Sequence, residues 1–135
     1  MRRASIAGGI VAVVLAAGAA AADLPPITVD QFLAEYDAMQ AKAKTVFAPA
    51  QAMAQWPEVL AVTHRIGEDA AAYRADVDAA VAAGKPPRAC LPPRGQAQLK
   101  SGDLIVAYRA LPAPQRAQPE RRAFYAYMDQ HYPCR

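Results

Sequence analysis

The chain has 135 residues, two cysteines, 12 prolines, seven glycines and a formal net charge of +3. That length holds one small domain and excludes a two-domain dinucleotide enzyme or a TIM barrel. Without Arg2 and Arg3 the balance is 13 basic against 12 acidic groups, which gives no electrostatic footprint for nucleic acid.

The N-terminus is read first. Met1-Arg2-Arg3 is a short positive stretch, Ile6 to Ala17 is apolar, and Ala20-Ala21-Ala22 is a small-residue cleavage site followed by Asp23. This is the layout of a secretory signal peptide, expected to span residues 1–22 and to be cut between Ala22 and Asp23. Residues 23–135 then form the mature domain, expected in the periplasm or the medium, with no membrane association after cleavage. No later apolar run approaches the length of a membrane span.

Pro25-Pro26 give an extended leader. Thr28-x-x-Gln31 has the form of a capping box. Phe32, Tyr36, Met39, Ala43 and Val46 follow at helical spacing, so a first helix is expected over about residues 29–47, ended by Pro49. Residues 50–56 suit a short helical turn. Pro57 and Glu58 open a second helix of about 25 residues. Its apolar face reads Val59, Val62, Ile66, Ala70, Tyr73, Val77 and Val81, and Gly84 with Pro86-Pro87 stops it. Gly67 inside this helix is expected at a close contact with a neighbour.

A proline-rich connection over residues 85–95 surrounds Cys90. A third helix is expected over about residues 97–110, with Ser101 as an alternative cap, and a fourth from about Pro119-Glu120 to His131. The fold class is therefore all-α: a compact four-helix bundle with one disulfide, preceded by a signal peptide. Cys90 and Cys134 are an even count in an exported chain, so a disulfide is expected. His131-x-x-Cys134 with Cys90 and His64 supplies zinc-type ligands, but the spacing fits no finger pattern. No metal and no cofactor are expected.

His64 and Glu68 stand one turn apart beside Arg65 and Asp69. They read as a solvated helix face with i,i+4 pairing rather than an acid–base pair. Ser5 and Ser101 are the only serines and neither lies in a nucleophile elbow. Catalytic residues are therefore not assigned, and the chain is not expected to be an enzyme. Tyr125, Tyr127 and Tyr132 beside Arg121 and Arg122 are interface-type residues, or core residues for the apolar stripe among them. Leu91, Pro92, Pro93, Arg94 and Gly95 are the candidate partner-contact loop, because prolines pre-order it and the disulfide would anchor it.

Cys90-Leu91-Pro92, Gly95, Leu104 to Tyr108, Pro112 and Tyr132-Pro133-Cys134 carry a resemblance. Over residues 90–134 the chain resembles the Rap1a/Tai family of periplasmic immunity proteins, which neutralise amidase effectors delivered by type VI secretion. It lacks the further cysteine pair that members often carry towards the N-terminal helices. The resemblance implies a non-catalytic, exported binding protein that blocks a partner, here a cell-wall amidase effector. The alternative is a helical periplasmic stress protein of the acid-activated chaperone type, although 12 acidic groups against 13 basic ones is a thin acidic charge for that task.

Overall fold

The structure is a computed structural model and describes residues 24–96 and 98–135. The expected signal peptide, and its cleavage point between Ala22 and Asp23, lie outside the described residues. Among the described residues the chain is helical, with no strand. It forms α1 (Val29–Thr45), α2 (Ala50–Met53), α3 (Pro57–Ala82), α4 (Ser101–Ala110), α5 (Ala113–Arg116) and α6 (Glu120–His131). Four of these are long and two are single turns. No described helix is long and apolar enough to cross a membrane.

Each helix boundary has a local cause. The Thr28 hydroxyl accepts the Gln31 N–H at 3.2 Å, and Gln31 Oε1 accepts the Thr28 N–H at 2.8 Å. Both bonds satisfy donors that the first turn leaves free. Pro57 occupies the first turn of α3, where its missing N–H costs nothing. At the other end Gly84 takes φ +67°. There its N–H reaches Val81 O at 3.0 Å and the Lys85 N–H reaches Ala80 O at 2.9 Å, a Schellman closure that needs a left-handed residue. Lys42 joins α1 to the start of α3 through Glu58, at 2.9 and 3.1 Å, while its ammonium lies 4.7 Å from the centre of the Trp56 ring.

Three expectations are corrected. Helix α4 starts at Ser101, as the alternative placed it, rather than near 97, but Lys100 holds the cap position and Ser101 makes no side-chain cap bond. α5 was not expected. Pro112 and Pro114 read as breaks, yet a single turn fits them, because proline is compatible with the first positions of a helix. Gly67 makes no close contact: a Cβ built there meets nothing within 4 Å. Gly67→Ala is therefore expected to stabilise the fold by about 1 kcal/mol, the ordinary helix-propensity gain at an unobstructed position. Urea denaturation checks this, and a loss of stability would contradict the open space at the site.

The core is gathered from α1, α3, α4 and α6. Phe32 meets Tyr108 edge to face at 5.6 Å, and Phe124, Leu104 and Tyr73 are wholly enclosed. Val46 and Val81 do not join it. Both end their helices' apolar stripes and both are exposed. The leader is pinned to the start of α6. The Glu120 N–H donates to Ile27 O at 2.8 Å and the Val29 N–H to Gln118 O at 3.1 Å, on either side of a bridge between Thr28 and Pro119.

Candidate functional site

The loop after α3 is built from its own sequence and then fastened from three sides. Pro93 O accepts the Gln96 N–H at 3.0 Å, closing a turn in which Gly95 sits at φ +82°, a conformation other residues resist. From α3, Arg74 donates to Pro92 O at 3.0 Å. Cys90 is bonded to Cys134 with Cα atoms 4.8 Å apart, and the Cys90 N–H donates to Tyr132 O at 2.9 Å. With both sulfurs in one bond, neither is a thiolate ligand for zinc.

Just ahead of the loop, Arg88 grips Asp129 of α6 with two bonds of 2.8 and 2.7 Å, and Tyr73 donates to the same carboxylate at 2.7 Å. The Arg88 guanidinium also lies over the Tyr125 ring at 4.8 Å. These bonds hold the Asp129 carboxyl below its ordinary range, the Arg88 contact contributing most. The Tyr73 phenol is pushed up, chiefly by burial and then by Asp129.

The expected contact residues therefore sit together on one rigid turn. Leu91, Arg94 and Gly95 line a shallow groove of about 300 Å³ with Leu99, Met128 and Tyr132. Arg94 stands at the rim, paired with Asp78 at 3.0 Å. Its side chain is 77 % exposed and that of Asp78 54 %, so the pair is worth little and yields easily to another carboxylate. Of the helix-six tyrosines, Tyr127 is buried as core. Tyr125 is half-buried and donates to Asp76 at 3.0 Å.

A second constellation went unread in the sequence. His64 does sit in solvent, 3.5 Å from Glu68, as expected of a helix face. Arg65 and Asp69 do not: they are 8 % and 2 % exposed. They lie on the stripe Val62, Arg65, Asp69, Tyr73, Val77, whose 3–4–4–4 spacing is as helical as the apolar stripe through Ile66 and Ala70. The inward face of α3 passes between the two stripes. The available signal was that spacing, with charged residues between residues of clear core type.

Glu120, at the first position of α6, completes the cluster and is 2 % exposed. The Tyr108 hydroxyl donates to Glu120 Oε1. Arg121 Nε donates to Asp69 Oδ1 at 2.5 Å, and Arg65 donates to Pro25 O at 2.9 Å. Burial raises the Glu120 carboxyl to about 8, and its hydrogen bond with Asp69 adds to the rise. The fold thus favours the protonated form of Glu120. Two atoms of the cluster, Arg65 Nε and Asp69 Oδ2, are buried without a hydrogen-bond partner among the described residues. Arg65, Asp69 and Glu120 line a cavity of about 340 Å³ with Leu24, Pro26, Ile27, Glu68, Pro119 and Arg121.

No described group of three or more His, Cys, Asp or Glu side chains is placed to hold a metal ion. Against known proteins the chain has no match: no protein-family model, no curated protein and no solved structure matches it.

Proposed function

We propose that the chain is an exported, non-catalytic binding protein of the Rap1a/Tai immunity type, which acts by seating its 91–95 loop on a partner protein and blocking it. In this reading residues 1–22 are a signal peptide, and the four longer helices act as a bundle that presents the loop. A cell-wall amidase effector is the partner class the resemblance implies. The observation that carries the reading is the fastening of the loop. A disulfide, the Arg88–Asp129 grip and the Arg74 bond to Pro92 O hold it in one conformation. A segment that arrives ordered loses less conformational entropy on binding. Leu91 and the two prolines give it an apolar body and Arg94 a charged tip, a composition suited to an interface centre.

The acid-activated chaperone reading needs a fold that loosens as pH falls. Glu120 acts in the opposite sense, since its raised carboxyl favours the folded state at low pH.

Two measurements test the proposal. The intact mass of protein recovered from a bacterial periplasm is expected to begin at Asp23; retention of Met1 removes export from it. Capture of a partner from periplasmic extract is expected to weaken at least tenfold with a Leu91→Ala and Arg94→Ala double variant that keeps its melting temperature. Equal capture by that variant and the wild type would take the loop out of the binding surface.

A further inference from the structure

We infer that the groove beside the 91–95 loop recognises an internal segment of a partner protein in which an apolar side chain stands next to acidic ones. The inference rests on the reading of that loop as a contact surface, and adds to it the chemistry of what the loop meets.

Charge comes first. From Ala79 to Gly102 the chain carries no Asp or Glu, against four cations, Lys85, Arg88, Arg94 and Lys100. Arg88 is closed off by its two bonds to Asp129. Lys85 and Lys100 are exposed and enter no ion pair among the described residues. Arg94 is paired with Asp78, but both side chains are more than half exposed. Arg74 precedes Asp78 by one turn of α3 and so shares its side of the helix. It is bonded to a carbonyl, Pro92 O, and keeps its charge. The neighbouring titratable groups turn elsewhere. Asp76 accepts from Tyr125 of α6, Glu68 lines the leader cavity, and His131 Nδ1 lies 2.8 Å from Tyr127 O. The rim of the groove therefore holds Arg74 and Arg94 against one carboxylate, with Lys100 next to Leu99 in the chain.

The rest of the lining is apolar. Leu91, Leu99 and Tyr132 are half-buried against the core, and Met128 is buried. They bound a groove of about 300 Å³, at the lower end for small-ligand sites, which suits one or two side chains. Apolar surface beside a positive rim favours a segment that covers the one and pairs with the other. Because Arg94 stands at the rim, the carboxylate that meets it belongs to a neighbour of the residue that enters the groove. That carboxylate displaces Asp78 from Arg94 at little cost, since an exposed pair of this kind is weak. Rim charges act chiefly on the rate of encounter and on its salt dependence.

The probe is the pentapeptide acetyl-Glu-Leu-Glu-Leu-Glu-amide, titrated by amide NMR into the purified protein at low and at high salt. It is expected to shift signals of Leu91, Arg94, Leu99 and Tyr132, and to bind about threefold more tightly at low salt. Its analogues with Gln for every Glu, or Ser for every Leu, are each expected to bind about fivefold more weakly. Arg94→Gln is expected to weaken the acidic peptide about threefold and to leave the Gln analogue unchanged, which a merely structural role for Arg94 would not do. No binding at tens of millimolar, equal binding of either analogue, or an Arg94→Gln effect equal on both peptides would overturn the inference. The peptide series on the wild type decides the matter even where the variant does not fold. Loss of partner capture by the Leu91→Ala and Arg94→Ala double variant without peptide binding keeps the blocking role and removes this chemistry. Peptide binding as described, with equal capture by that variant and the wild type, supports the groove's chemistry and removes the blocking role.

Discussion

Reduction of the Cys90–Cys134 bond, or Cys134→Ala, is expected to lower the melting temperature by roughly 10–20 °C. The bond closes a loop of 45 residues, counting both ends of a separation of 44. On the chain-entropy account this removes freedom from the unfolded chain worth about 4 kcal/mol. A domain of this size shifts by about 4 °C per kcal/mol. The bond also ties the loop to the residues after α6, beside the Cys90 N–H bond to Tyr132 O, so its loss loosens both. Calorimetry with and without reductant measures the effect. Coincident melting curves would show that the Arg88–Asp129 grip and the bonds from Cys90 N–H and Arg74 suffice to hold this end of the molecule. Two free thiols in protein purified from an oxidising compartment would show that the bond does not form there.

Replacing Glu120 is expected to act in two distinct ways. Glu120→Ala strips the Tyr108 hydroxyl of its acceptor and Asp69 of a neighbour that shares its proton, and is expected to cost roughly 2–5 kcal/mol. Glu120→Gln keeps an acceptor for Tyr108 and a donor for Asp69. Its effect is read in the pH profile. The carboxyl is raised in the folded state from 4.5 to about 8. The folded wild type therefore holds a proton that the unfolded chain has released. Its contribution is fully present below pH 4.5 and is lost as pH rises towards 8, by up to about 1.4 kcal/mol per pH unit. The Gln variant lacks this slope. Denaturation at pH 5 and pH 9 is expected to give the Gln variant the larger stability at pH 9. A wild-type profile flat between those values would mean that Glu120 ionises in the fold without penalty.

The helices were largely legible in the sequence because their ends carry local chemistry. Thr28 with Gln31, Pro57 with Glu58, and Gly84 before Pro86 each set a boundary through bonds made within a few residues. The pairing of Cys90 with Cys134 was legible from an even count and the expectation of export. The contact loop was legible as a stiff segment, but its fastening by Arg74 and Arg88 was not, since those bonds depend on how α3 and α6 lie against it. The Arg65–Asp69–Glu120 cluster was hidden for a related reason. Apolar periodicity locates a helix's inner face to within one stripe. On α3 that margin separates Ile66 and Ala70 from Arg65 and Asp69. Glu120 sits where an acidic residue suits a helix N-terminus, so its charge looked explained before its burial was known.

The pinning of residues 27–29 to residues 118–120 bears on when this molecule becomes a folded object. Beyond its local capping box, the first helix gains its entry contacts from residues 118–120, and the disulfide waits for Cys134. A chain still emerging, or threading N-terminus first through a channel, holds the helix-forming residues but not these ties. Contacts of such long sequence separation form late, because loop closure must precede them. The ties that pin the leader and the loop therefore form only once residues 118–134 are free, and that stretch acts as the closing piece for the fold.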